Sequence, residues 1–292
     1  ATLQSNMNFV STNLSAGRVQ SAAVKIIVDR DRLRANFSRT KFFDLKVELS
    51  KTDSKKTFSA NLFKLEGKKI ATSNDFNSQT GEIKTNDVTI LSENEASQLC
   101  NKLNSDSWSI IDISEKPRTS NPKPPFTTST LQQEAARKLR SSARQTMSTA
   151  QKLYENGFIT YMRTDSTHLS SEAIEGARKI IQNNFGPEYL PDSPKQYKSK
   201  VKNIQEAHEA IRPAHKNFVS IKKVEESLGK ECSKLYELIW KRTIASQMKS
   251  AKLKQTSVII KVKNAEFKAT GQVILFPGYM KAYVCLLYTS PS

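Results

Sequence analysis

Apolar residues recur at three- and four-residue spacing over residues 15–37. Val19, Ala22 or Ala23, Ile26, Arg30, Leu33 and Phe37 form one stripe, with Lys25, Asp29 and Arg32 facing away. That spacing predicts a single helix. From residue 41 to about 114 the period shortens. Residues 43–49 alternate strictly between apolar and polar, and 57–65, 84–91 and 108–114 carry strand-like runs between polar turns. Residues 92–104 predict a helix among those strands.

Residues 116–125 then hold Pro117, Pro122, Pro124 and Pro125. Proline removes a backbone donor and fixes φ, so helix and sheet are both expected to stop here, at a domain boundary. Beyond it the pattern is helical almost throughout. Ser129 and Thr130 precede Gln132 and Gln133 at capping-box spacing, opening a helix to about residue 140. A second helix is expected over 142–156, with Met147, Ala150, Leu153 and Tyr154 inward and Gly157 as a left-handed stop. A third runs from near Ser171 to Gly186 and Pro187, a short one over 206–212 is closed by Pro213, and a long amphipathic one covers 232–248. Residues 256–262 and 266–276 return to strand pattern. Strands on both sides of a helical block predict an α+β chain with a helical domain inserted into a β domain. No internal repeat interrupts this plan.

Composition adds a statement about partners. Lys and Arg total 46 against 28 Asp and Glu, a formal net charge of +18 in 292 residues. Such a balance attracts polyanions, and nucleic acid leads the candidates over a merely basic surface. No apolar run approaches the roughly 18 residues that span a bilayer, and no signal peptide opens the chain, so a cytoplasmic location is expected. Cys100, Cys232 and Cys285 are scattered, and no CxxC pair supports a zinc ribbon or a disulfide framework. The chain starts at Ala1 rather than Met, which is expected of a fragment.

The chemistry concentrates in residues 157–166, Gly-Phe-Ile-Thr-Tyr-Met-Arg-Thr-Asp-Ser. A lone tyrosine after a helix usually packs its ring and satisfies its hydroxyl. Here Arg163, Thr164, Asp165 and Ser166 crowd around Tyr161, and that polar density makes poor core. A phenol with a guanidinium in reach suits attack on a phosphodiester, because the planar cation holds the charged phosphate oxygens. Phenols have a pKa near 10, so Tyr161 needs help to attack but leaves readily afterwards.

Residues 157–166 resemble the active-site motif of type IA DNA topoisomerases. Three further segments agree, in the family's order. Residues 14–21, Leu-Ser-Ala-Gly-Arg-Val-Gln-Ser, resemble the start of its strand-binding helix. Residues 124–133, Pro-Pro-Phe-Thr-Thr-Ser-Thr-Leu-Gln-Gln, resemble the opening of its tyrosine domain, in the topoisomerase I rather than the topoisomerase III wording. Residues 206–213, Glu-Ala-His-Glu-Ala-Ile-Arg-Pro, resemble its histidine motif.

The resemblance implies that Tyr161 bonds covalently to the 5′ phosphate of a cut single strand, leaving a free 3′ hydroxyl. Arg163 would hold the scissile phosphate and His208 would hydrogen-bond nearby, although a helix histidine is more often simply satisfied. A zinc-binding HExxH reading fails, because position 212 is Arg. Arg18, Gln20 and Ser15 at the mouth of the first helix are expected to hold a phosphate, against the plainer reading of a capped helix. Thr164, Asp165, Ser166, Arg212, Arg137 and Arg144 complete the expected DNA-binding set, and Lys138 and Arg140 belong to the same basic run, which is otherwise a solvated face.

The implied function is ATP-independent relaxation of negatively supercoiled DNA by a cytoplasmic, nucleoid-associated monomer that acts on single-stranded regions. Mg2+ is implied as cofactor, held in the family by an N-terminal acidic TOPRIM domain that nothing here matches. Asp29 and Asp31 have the spacing of a metal pair, but i and i+2 point to different faces of a helix. The zinc-binding C-terminal modules are also without a match, so the chain is expected to be a toroid-type topoisomerase fragment. The expected division is a gate-domain segment over 1–36, a β-rich arch over 37–118, a helical tyrosine domain over 119–248, a return into the arch over 249–284 and a non-native tail over 285–292. Two other readings stay open: a non-catalytic DNA-binding fragment with helix-turn-helix-like modules, and a tyrosine enzyme acting on RNA.

Overall fold

A computed structural model describes residues 17–51, 55–103, 107–197 and 209–283. The chain is mixed α+β and divides into two compact units. One comprises Ala1–Ser114 with Ser257–Thr270, the other Glu115–Thr256 with Gly271–Ser292.

The first unit holds helix α1 (Arg18–Ala35), strands β1 (Lys46–Ser50), β2 (Thr57–Leu65), β3 (Lys68–Ile70) and β4 (Val88–Thr89), and helix α2 (Glu93–Leu103). Strands β5 (Ser109–Ser120), β6 (Ala251–Val262) and β7 (Ala265–Phe276) each cross the boundary between units. The sheet order is β4-β3-β2-β7-β6-β5, with β1 antiparallel to β2 in the register Val47 to Ala60. Alternation along β2 turns Ala60 and Leu62 inward, onto Ile70, Leu91, Leu103 and Phe267. Trp108 meets the Phe267 ring edge-on at 5.0 Å, a favoured aromatic geometry.

The second unit is helical: α3 (Thr128–Leu139), α4 (Ala143–Glu155), α5 (Ser171–Asn184), α6 (Ile221–Leu228), α7 (Lys230–Ser246) and α8 (Met280–Tyr283). Helix α7 is the buried centre: its polar face carries Lys230, Glu231, Lys234, Glu237 and Lys241, while Leu235, Tyr236 and Ile239 pack against Phe126, Leu131, Leu153 and Ile211. Helix α5 packs closely through Gly176. A Cβ there would fall well inside contact distance of the Lys216 carbonyl oxygen.

Several local expectations are corrected. The helix over 15–37 forms as α1, yet Val19 is 83% and Ile26 69% exposed. Periodicity and the Lys25–Asp29 pair at i,i+4 suffice for the helix; burial also needs a facing surface, which no described residue supplies. The proline-rich boundary does not stop the sheet, because β5 continues through Pro117 to Ser120. Strand β5 is last in the sheet order, and an edge strand accommodates a residue without an N–H. Residues 84–91 yield only the short β4. The cap of α3 lies two residues earlier than expected: Thr127 is the N-cap and Thr130 its reciprocal partner. Residues 209–212 are not helical, since Ile211 bridges to Phe126 as extended chain. Helix α6 was not foreseen. Its Ser220 cap and the helical spacing of Ile221, Val224 and Leu228 were the signals that could have found it.

Candidate active site

Helix α4 carries the chain to the site. Ser142 caps its start by accepting the Gln145 N–H at 3.2 Å. Gly157, at φ 72°, ends it in the left-handed conformation that glycine adopts without a Cβ penalty. Residues 158–160 then pair with 212–214: the Thr160 N–H donates to the Arg212 carbonyl at 2.9 Å, and the Ala214 N–H to that of Phe158 at 2.8 Å. The Thr160 hydroxyl adds a cross-tie, donating to the Ala210 carbonyl at 2.7 Å and accepting the Arg212 N–H at 3.0 Å. On the other side the Ile211 N–H donates to the Phe126 carbonyl at 2.8 Å. The strip that follows the expected histidine is thus laced between the start of the helical unit and the tyrosine segment.

A second anchor comes from α3. The Thr128 hydroxyl donates to the Met162 carbonyl at 2.8 Å and accepts the Thr164 N–H at 2.9 Å, and the Thr128 N–H donates to the Thr164 carbonyl at 2.9 Å. These bonds grip the backbone on both sides of Arg163. Burial alternates along the gripped run. Met162, Thr164 and Ser166 are buried, whereas Tyr161, Arg163 and Asp165 are exposed.

Tyr161 is 45% exposed, and its ring meets Tyr154 edge-on at 5.3 Å between centroids. Its hydroxyl makes no hydrogen bond among the described residues, and so is open to a ligand. Arg163 and Asp165 line an open depression of about 370 Å³ with Thr128, Ser129 and Thr164, at the first turn of α3. With the Thr128 hydroxyl committed to the Met162 carbonyl, the Arg163 guanidinium beside the Ser129 and Thr164 hydroxyls is a donor set suited to phosphate oxygens.

The other expected residues fall into three groups. Gln20, Arg137 and Arg144 are exposed, Arg137 donating to Glu134 at 2.6 Å. Thr164, Ser166 and Arg212 are buried. The Thr164 and Ser166 hydroxyls accept the N–H groups of Ser166 and His168, both at 3.1 Å. Arg212 donates to both Glu209 oxygens at 2.7 and 3.3 Å, to the Ser170 hydroxyl at 3.2 Å and to the Pro213 carbonyl at 2.8 Å. Its guanidinium is therefore committed to holding the 209–213 strip rather than presented to a ligand. Burial pushes the Glu209 carboxyl up, but the bonds from Arg212 and Ser170 outweigh this and hold it below its usual range. His208, Ser15 and the tail over 285–292 lie outside the described residues, as does the Arg18 side chain.

Sequence reasoning missed the roles of Thr128, Thr160 and Glu209. All three lie within or beside the quoted motifs, but their partners are 36, 52 and 39 positions away along the chain. Among the described residues no three His, Cys, Asp or Glu side chains gather as metal ligands. The described residues do not fit a Mg2+ site. Asp29 and Asp31 instead pair with Lys25 and Arg34 along α1. No helix is long and apolar enough to cross a membrane, among the described residues.

Comparison with known proteins places this geometry in context. DNA topoisomerase 1 of Synechococcus elongatus is 51% identical over 276 residues, which take in 94% of this chain and 31% of that relative. DNA topoisomerase 1 of Mycobacterium tuberculosis is 47% identical over 287 residues, again 94% of this chain and 31% of the relative. The chain therefore spans about a third of the length of the curated relatives it matches. Full-length topoisomerase I from Thermotoga maritima superposes with a TM-score of 0.69 at 34% identity, covering 95% of this chain and 42% of that one. The family model described as DNA topoisomerase matches residues 1–290, and on that match, with relatives at this level of identity, the chain belongs to the DNA topoisomerase family.

Proposed function

We propose that this chain supplies the nucleophile and part of the DNA grip of a type IA DNA topoisomerase, which relaxes negatively supercoiled DNA without ATP. The Tyr161 oxygen attacks the phosphorus of a single-stranded segment, the 3′ oxygen leaves, and the phenol proton is given up as the 3′ hydroxyl takes one. After strand passage the 3′ hydroxyl attacks the phosphotyrosyl ester and restores the backbone. The ester conserves the energy of the bond it replaced, so no ATP is needed.

One observation carries this reading: Tyr161 and Arg163 stand exposed on the same face of a run whose buried face is held by Thr128 and Thr160. A packed aromatic would be sealed; this one is open and its backbone is fixed, as nucleophilic catalysis requires. Arg163 holds the scissile phosphate, and Asp165 borders the same depression. Thr164, Ser166 and Arg212 act as positioning residues through their internal hydrogen bonds. His208 is assigned to the phosphate by its place in the motif. Arg18, Gln20 and Ser15 are assigned to the strand at the start of α1, with Arg137 and Arg144 along the helical domain. We retain the division into a gate segment over 1–36, arch over 37–118 and 249–284, and inserted tyrosine domain over 119–248. Mg2+ is assigned to the acidic domain, and the working enzyme is a cytoplasmic monomer.

The test is a labelled single-stranded DNA oligonucleotide incubated with this chain, with and without a separately prepared acidic domain of the family, then denatured. The expected result is a covalent adduct that depends on the added domain and does not form on RNA. Absence of adduct under every combination contradicts the proposal, and adduct on RNA alone favours the RNA enzyme.

A further inference from the structure

Outside the tyrosine site, some cations of the helical unit are paired and others are not, and five of the unpaired ones gather in one place. Arg137, Arg212, Lys216, Lys241 and Lys254 each have a carboxylate partner. Arg140, Arg144, Lys152, Lys230 and Lys234 form no ion pair among the described residues, and all five are exposed. These five line two adjoining depressions of about 360 and 340 Å³, which share Gln145, Thr149 and Glu231. The groove runs along the outer turns of α4 and the first turns of α7. Glu231 is its one carboxylate, and it is already engaged, accepting from Gln145 at 2.8 Å and Thr149 at 3.2 Å.

We propose that this groove docks the sugar–phosphate backbone of double-stranded DNA flanking the strand attacked by Tyr161. This rests on the topoisomerase reading and extends it. Five unpaired cations against one occupied carboxylate ask for a polyanion. The remaining polar lining, Ser142, Gln145, Ser148 and Thr149, is of the kind that contacts phosphates without reading sequence. Neither depression is lined by an aromatic ring. Single-strand sites combine charge with rings on which unpaired bases stack, so a cationic groove without rings fits stacked, paired DNA. The groove reaches along α4 to Lys152, and the aromatic pair follows at that end, Tyr154 in the last turn of α4 and Tyr161 beyond it. Arg144 and Tyr154 are ten residues apart, about 15 Å of helix, so α4 leads from the duplex groove to the cutting site.

The decisive experiment compares this chain with R144Q/K152Q/K234Q and with a control of equal charge loss, K179Q/K222Q/K223Q, whose lysines are exposed on α5 and α6. Fluorescence anisotropy reads binding to a blunt duplex and to a single strand of the same length across a salt series. The groove variant is expected to bind duplex at least about tenfold more weakly, with a log–log salt slope shallower by about 2.7 for three lost contacts. Its loss on single strand is smaller, and the control changes neither. Glu231→Gln tightens duplex binding several-fold, a gain that misfolding cannot imitate. An unchanged slope in the groove variant, an equal loss in the control, or a greater loss on single strand than on duplex overturns the proposal. Failure of Tyr161 to form an adduct, with these binding results intact, counts against the catalytic reading instead.

Discussion

Replacing Thr128 by valine keeps the side-chain shape and removes one hydroxyl. That hydroxyl donates to the Met162 carbonyl at 2.8 Å and accepts the Thr164 N–H at 2.9 Å, in a part-buried setting. Two backbone groups beside Arg163 lose a partner, while the Thr128 N–H still reaches the Thr164 carbonyl. Leaving such groups unsatisfied costs about 1–3 kcal/mol, read as a melting temperature lower by about 2–4 °C per kcal/mol. The effect on chemistry exceeds the effect on folding. A shift on the order of 1 Å in a group holding the reacting phosphate lowers the rate by about 100-fold. Single-turnover adduct formation with the acidic domain present should fall accordingly at saturating DNA, with binding little changed, and Thr128→Ser should restore it. A Thr128→Val protein with wild-type stability and wild-type adduct rate refutes the anchoring role.

Three more outcomes follow from other contacts. Arg212→Ala leaves Glu209 in a half-buried site without its cation and destabilises by about 3 kcal/mol in urea unfolding; Arg212→Lys recovers little, since an ammonium cannot reproduce the two-pronged contact. Gly176→Leu forces α5 off the Lys216 carbonyl, so it lowers stability by about 1–3 kcal/mol or more, seen in the same assay. For Glu134, burial raises the carboxyl, but hydrogen bonds from Arg137 and Tyr283 prevail and hold it at about 2 against an ordinary 4.5. A carboxylate lowered on folding contributes stability that is present above its unfolded pKa and lost as pH falls toward the folded one. Melting temperature should thus drop between pH 4.5 and 2, and Glu134→Gln should flatten that limb.

Much of the helical unit was legible because its signals are local. The helix start at Ser142, Gly157 as a stop and the inward Leu153 are set by residues within one or two turns. The exposure of Tyr161 and Arg163 was legible because their polar neighbours made a core reading poor. The exposure of α1, the passage of β5 through Pro117 and the extended form of residues 209–212 were not legible. Each depends on what lies across space: a facing surface, an edge position, or a strip to pair with. Arg212 shows the same limit. As a letter it is a cation free for DNA; in the fold its four acceptors enclose it.

The central claim is that the oxygen of Tyr161 becomes bonded to phosphorus. The most direct measurement is protease digestion of the DNA adduct made with the acidic domain present, followed by mass spectrometry of the nucleotide-bearing peptide. The account predicts a 5′-phosphoryl nucleotide on Tyr161 alone, and no adduct from a Tyr161→Phe protein that still binds DNA. A nucleotide mapped to another residue, or undiminished adduct from Tyr161→Phe, contradicts it.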